Sequence, residues 1–137
     1  MLYLSQKNNH EDAFVWIDRA ISLTDDKHFS IRNSHAVILF RANIDKTDSS
    51  VRVQLDKSMQ ILERCINADS RKRFHARIYA SQAKEYYRKY NDAKAISYIK
   101  TALTWLESIV KTSSWDDESK QALAELKEMV QILGIKI

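Results

Sequence analysis

The chain has 137 residues, of which 45% are hydrophobic and 29% are charged, with a formal net charge of +4. This composition argues against a disordered or collagen-like chain, and the length suits one compact domain or a short run of repeats. One glycine and no proline leave almost no residues for tight hairpin turns, which predicts an all-α protein. The single cysteine, Cys65, excludes an internal disulfide and a metal site built from cysteine pairs.

Helix ends in the first half of the chain are read from breaks in the helical spacing of apolar residues. A short helix is predicted from Leu2 to about Lys7, and a second from about Glu11 to Leu23. The third runs from about Lys27 to Ile44 and the fourth from about Val51 to Ala68. Connections of a few residues force neighbouring helices to lie antiparallel.

The second half of the chain contains three further predicted helices. They span about 71–90, 93–111 and 115–134. Ser113 or Ser114 is the expected cap of the last helix, because hydroxyl side chains favour that position. An apolar stripe along this helix, which includes Leu133, ends before Gly134. The glycine suits the left-handed position after a helix and lets the next residue fold back.

Small and large apolar residues recur in the same order in three segments. Small residues let a helix approach its hairpin partner closely, while large ones fill the groove between neighbouring hairpins. The three segments are Ala13, Phe14, Ile17, Ala20 and Ile21; Ser58, Met59, Leu62, Cys65 and Ile66; and Ala95, Ile96, Ile99, Ala102 and Leu103.

The best repeat lies between Tyr79 and Ala102. Its residues are Tyr79, Gln82, Ala83 and Tyr86 on one helix and Ala95, Ile99 and Ala102 on the next. This pattern resembles the tetratricopeptide repeat, although the repeats here are longer than the family's roughly 34 residues and lack its usual proline.

The resemblance implies antiparallel helical hairpins stacked as a short α-solenoid with a C-terminal cap helix. One repeat domain is expected over residues 1–137, with hairpins at about 1–24, 27–68 and 71–112 and the cap helix at about 115–134. Such repeats bind other proteins and need a polar terminal cap for solubility.

Residues with catalytic or metal-binding chemistry are scattered. No histidine pairs with another histidine or with a carboxylate at a known metal spacing, and one glycine cannot build a phosphate-binding loop. Arg32 with His35, and Arg71 with His75, are too closely spaced for the helical ribonucleases of the HEPN type. We therefore expect no enzymatic activity, no metal and no cofactor.

Charge is concentrated in one predicted helix. Residues 71–90 hold seven basic residues and one acidic residue, which gives this segment +6 while the rest of the chain sums to −2. One interpretation is a solvated face balanced by acidic residues of a neighbouring helix. The other is a contact surface for a partner.

In the family, the first helix of each hairpin lines the concave surface that holds a peptide or protein. Aromatic and arginine side chains carry much of the binding energy at protein interfaces. We therefore expect a protein-interaction module whose partly basic groove binds a protein or peptide segment, an acidic one included. The predicted partner-binding residues are Asn33, Phe40, Arg41, Arg77, Lys84, Tyr87 and Arg88.

RNA or DNA binding by residues 71–90 is the alternative, because basic and aromatic side chains can track phosphates and stack on bases. It ranks second, since Tyr79 and Tyr86 are expected in the core.

The sequence also leads to expectations about the localisation and assembly of the protein. No run approaches 18 apolar residues and no secretory signal pattern is present, which predicts a cytoplasmic protein without a membrane partner. The first repeat lacks most of its opening helix, so we expect the C-terminal docking or sensor part of a larger protein. Uncapped repeat stacks tend to associate, so self-association is a further expectation.

Overall fold

The computed structural model describes residues 14–16, 19, 29–70 and 72–136, and no strand occurs among them. This confirms the all-α prediction. The chain divides into two compact units, Met1–Asp69 and Ser70–Ile137. The helices are α1 (Phe29–Asn43), α2 (Val51–Ala68), α3 (Lys72–Tyr90), α4 (Ala93–Thr112) and α5 (Asp117–Ile132).

The predicted first hairpin, residues 1–24, lies almost entirely outside the described residues. Residues 14–16 and Arg19 are helical, and Trp16 is exposed. The stacking of all hairpins into one solenoid domain stays a prediction.

In the first unit, α1 and α2 form an antiparallel hairpin held by close contact at small residues. The Ser58 hydroxyl donates a hydrogen bond of 2.6 Å to the carbonyl oxygen of Ala36, and both residues are fully buried. The thiol of Cys65, further along α2, lies 3.9 Å from the carbonyl oxygen of Phe29, at the start of α1. The hydroxyl of Ser58 is therefore satisfied inside the hairpin, as a buried polar group must be.

The hairpin of α3 and α4 in the second unit is built on aromatic rings. Tyr79 contacts Trp105 with ring centroids 5.1 Å apart, and Tyr86 contacts Tyr98 at 5.0 Å. Both pairs have the edge-to-face geometry that the ring quadrupoles favour. Tyr79 and Tyr86 are fully buried, which confirms that the core claims them.

A tight turn joins these two helices. Asn91 adopts φ of 49°, in the left-handed region that asparagine tolerates better than most residues. The next residue, Asp92, caps α4 by accepting a 3.1 Å hydrogen bond from the backbone N–H of Ala95. These two residues place α4 back along α3.

The last helix, α5, packs on both α3 and α4. It buries Leu123 and Leu126. Gly134 has φ of +64°, and the N–H of Ile135 donates a 3.0 Å hydrogen bond to the carbonyl oxygen of Val130. Ile135 is buried, so the predicted glycine termination and the fold-back of the following residue are confirmed.

Overpacking at Ala83 tests the predicted helix register. Ala83 is fully buried, so Ala83→Trp should lower the free energy of unfolding by about 1–3 kcal/mol or more, because the core must move apart to admit the indole. Urea denaturation followed by circular dichroism measures this loss. The matched control is Ser81→Trp, at an exposed position of the same helix, for which we expect a change within about 0.5 kcal/mol. Equal effects of the two substitutions would contradict the register.

Candidate interaction site

Asp116 lies directly before the last helix and is a buried carboxylate with several partners. It is the N-cap of α5: its side chain accepts hydrogen bonds from the Ser119 hydroxyl at 2.6 Å and from the Ser119 N–H at 3.3 Å. The predicted cap, Ser113 or Ser114, is therefore wrong. The carboxylate wins because its two oxygens satisfy the backbone N–H and the side-chain hydroxyl together, which one serine hydroxyl cannot do as acceptor.

Two arginines of α3 approach the same carboxylate. Arg77 Nη1 lies 3.4 Å from one oxygen of Asp116, and Arg73 Nη1 lies 3.7 Å from the other. Asp116 is only 5% exposed. Its burial raises the pKa, but the hydrogen bonds from Ser119 and the charges of Arg77 and Arg73 outweigh that effect, so the pKa lies below its ordinary value of 3.8. The charged form is therefore held in a place from which water is largely excluded.

Around Asp116 the arginines make further contacts. Arg77 Nη2 lies 3.1 Å from a carboxylate oxygen of Glu118. Glu118 is in the first turn of α5, where a negative charge interacts favourably with the helix dipole. The guanidinium carbon of Arg73 lies 4.4 Å from the ring centroid of Trp115, a cation–π distance. The N-terminus of α5 is thus held on α3 by several charged contacts.

A second ion pair follows two turns further along both helices. Lys84 Nζ lies 3.6 Å from a carboxylate oxygen of Glu125. Lys84 comes seven residues after Arg77 in α3, and Glu125 comes seven residues after Glu118 in α5. The two helices therefore run parallel with a constant offset. This pair is partly exposed and contributes about 0–1 kcal/mol.

The basic helix is therefore partly neutralised from within the second unit. Three cations of α3 pair with acidic residues of the last helix or its cap. Arg73 and Arg77 pair with Asp116, Arg77 also pairs with Glu118, and Lys84 pairs with Glu125. This observation favours the balanced-face interpretation for the first two thirds of α3. The last turn of α3 remains outside the network.

Beyond the last ion pair, α3 and α5 leave an open groove of about 420 Å³ between their C-terminal ends. Ile132 is 72% exposed and Leu133 is 50% exposed. The apolar side of the groove thus faces solvent, although the sequence pattern placed Leu133 on the apolar stripe. The lining residues are Lys84, Arg88, Glu125, Glu128, Met129, Ile132 and Leu133.

The charges at the rim of this groove balance. Lys84 and Glu125 form the ion pair described above. Arg88 and Glu128 have no ion-pair partner among residues 29–70 and 72–136. The groove therefore combines an exposed aliphatic patch with one unpaired cation and one unpaired anion.

The predicted contact residues of the first unit differ in their exposure to solvent. Asn33 is 4% exposed and Phe40 is 1% exposed, so neither offers a surface to a partner. Both predictions need correction: α1 buries most of its length, because apolar residues occupy nearly every position between Ala36 and Ala42. Arg41 is exposed as expected.

In the second unit, the predicted contact residues divide between the ionic network and the groove. Arg77 belongs to the Asp116 network, Lys84 belongs to both, and Arg88 is exposed at the groove. Tyr87 is half-buried, and it does not line the groove. Two of the seven predicted residues, Lys84 and Arg88, are thus brought together at one open surface.

Other residues of the site were missed by the sequence prediction. Ile132 and Glu128 line the groove, and Asp116 fixes the helix that forms one wall. The available signal was the apolar stripe of the last helix, which continues beyond Leu126 for longer than the α3 and α4 surfaces can cover. The acidic run at 116–118 was visible too, but its partners on α3 were not.

The described residues were also compared with the requirements of metal sites and membrane spans. In the described ranges, no cluster of three or more His, Cys, Asp or Glu side chains could hold a metal ion. Nor does any described helix combine the length and apolar character needed to cross a bilayer.

Comparison with known proteins gives no match to any family model, any curated protein or any solved structure.

Acid titration tests the role of Asp116. A carboxylate whose pKa is lowered by folding stabilises the folded state above its unfolded pKa, and that stabilisation is lost as the pH falls through the folded pKa. We therefore expect Asp116→Asn to reduce the free energy of unfolding by about 1–3 kcal/mol at pH 7, and the gap between variant and wild type to close from about pH 5 downward. Denaturant melts at pH 7, 5, 4 and 3 measure this gap.

The matched control is Glu118→Gln, which removes a mostly exposed carboxylate from the same turn. It should change the stability little at any pH, because exposed ion pairs are screened by solvent. A gap for Asp116→Asn that stayed constant down to pH 3 would contradict a role for the ionised carboxylate.

Proposed function

We propose that the chain is a non-catalytic protein-interaction module of tetratricopeptide-like helical hairpins, and that its second unit binds a protein segment in the groove between α3 and α5. The repeat assignment is supported by burial at matching spacing on two helices: Ser58, Met59, Leu62, Cys65 and Ile66 on α2, and Ala95, Ile99 and Ala102 on α4. The cytoplasmic location belongs to the same proposal.

The observation that carries the proposal is the exposed pair Ile132 and Leu133 beside Arg88. Isolated exposed aliphatic residues are common and need no explanation. Adjacent exposed aliphatic side chains that form one wall of a groove, with charged residues at the rim, are the arrangement typical of interaction sites.

The groove suits a helical or extended segment that presents apolar side chains. Such a segment would cover Met129, Ile132 and Leu133, and a carboxylate on it would pair with the guanidinium of Arg88. Burying two aliphatic side chains contributes about 3–6 kcal/mol before the cost of association, which supports moderate affinity at most. The proposed ligand is therefore amphipathic rather than uniformly acidic.

Nucleic-acid binding is less well supported by the same geometry. Carboxylates of Asp116, Glu118 and Glu125 lie against the basic side chains of α3, where they would repel a phosphate backbone. Tyr79 and Tyr86 are buried and cannot stack on bases. Three of the six cations of α3 already pair with these carboxylates, which reduces the positive charge that α3 offers to phosphates.

Replacement of the aliphatic wall tests the proposal. We expect Ile132→Glu combined with Leu133→Glu to reduce capture of specific protein partners about tenfold or more, because each introduced carboxylate must be desolvated on binding. Affinity capture with quantitative mass spectrometry measures the change. The matched control is Val53→Glu, which places the same charge at an exposed aliphatic position of α2 and should leave capture unchanged.

Unchanged capture by the variant with both Ile132 and Leu133 replaced would contradict the groove assignment. Capture of RNA or DNA that falls by orders of magnitude between 50 and 200 mM salt, as roughly expected for multiple phosphate contacts, would favour the alternative function instead.

A further inference from the structure

The groove between α3 and α5 has a property that restricts its occupant. Its four charged residues carry two positive and two negative charges, and one of each sign is already used in the pair between Lys84 and Glu125. What remains is the cation of Arg88 on the α3 wall and the anion of Glu128 on the α5 wall. Neither forms an ion pair with another described residue.

A two-fold symmetric interface places the same patch of both copies face to face. A patch with a net charge repels its own copy, and like charges brought together at an interface strongly disfavour association. A neutral patch with one unpaired charge of each sign avoids this repulsion, because each cation can face the partner's anion. In the same arrangement, the exposed side chains of Ile132 and Leu133 would pack against the same side chains of the other copy.

We propose that the occupant of the groove is a second copy of this chain, which makes the second unit a homodimerisation surface. In this dimer, Arg88 of each copy pairs with Glu128 of the other, and the two aliphatic walls cover each other across the symmetry axis. The inference rests on the proposed function, since it names the partner of the same groove. It predicts that an intact chain associates without any other protein.

Charge reversal gives a test that only a symmetric dimer passes. Arg88→Glu would bring two carboxylates together at each contact, because the new side chain faces Glu128 of the other copy. Glu128→Arg would likewise bring two guanidinium groups together, so either variant alone should lose dimerisation. Mixing the two variants places a carboxylate opposite a guanidinium group at both contacts of a mixed dimer, because one copy then carries two carboxylates and the other two guanidinium groups. The mixture should therefore recover a heterodimer. The double variant Arg88→Glu with Glu128→Arg restores opposite charges at both contacts and should recover the homodimer.

Sedimentation velocity from about 5 to 500 µM chain measures the association, a range that covers the weak affinity expected of a small interface. We expect a dimer of wild type, a dissociation constant raised about tenfold or more for each single reversal alone, and recovery of the dimer both in their 1:1 mixture and in the double variant. Arg41→Glu, an exposed arginine of the first unit, is the matched control and should dimerise as wild type does. Circular dichroism confirms that each variant is folded.

Wild type that stays monomeric at 500 µM would overturn the inference, and so would a folded double variant that failed to associate after both single variants had lost the dimer. These results leave the proposed function intact if the variant with both Ile132 and Leu133 replaced still loses a captured protein. If the variant with both Ile132 and Leu133 replaced still dimerised and still captured protein partners, both proposals would be overturned.

Discussion

The carboxylate of Asp116 is the contact on which the arrangement of the second unit depends. It caps the last helix through Ser119 and meets two arginines of α3 from the same buried position. An ionised group with so little exposure is stable only when several partners satisfy it, since an unpaired buried charge costs several kcal/mol. Four groups share that task here, which ties the start of α5 to α3 more firmly than an exposed ion pair could.

This anchoring at one end explains why a surface is left open at the other. The ionic contacts and the buried leucines Leu123 and Leu126 hold α5 along α3 and α4 as far as Glu125. The final turn continues past these contacts and keeps its apolar residues at positions that nothing described in the second unit covers. The groove at Arg88, Ile132 and Leu133 is therefore a consequence of where the last helix is fixed and how far it extends.

The sequence predicted the helices well, because their ends depend on local chemistry. Val51–Ala68 was predicted at the observed bounds, and the glycine termination at Gly134 was correct, since both follow from short-range patterns. The small positions of the hairpins were also identified. The cap of α5 was missed because a nearby serine and an aspartate have similar preferences for that position, and the two hydrogen bonds from Ser119 together with the arginines of α3 favour the aspartate.

Prediction of the site was weaker, since it depends on which residues meet across helices. A basic helix viewed alone shows seven cations, and the acidic residues that neutralise three of them lie far away in the sequence. Phe40 was chosen as an anchor for its residue type, although the residues around it in α1 are almost all buried. Burial and pairing are properties of the assembled fold, which periodicity does not specify.

A double-mutant cycle between Arg77→Gln and Asp116→Asn tests the central claim most directly. If the buried carboxylate holds α5 on α3 through the arginine, the two losses in unfolding free energy at pH 7 should be non-additive, with a coupling of about 1–3 kcal/mol. Denaturant unfolding of the wild type, the two single variants and the double variant measures this coupling. Losses that add to within about 0.5 kcal/mol would show that the two residues act independently and would contradict the account.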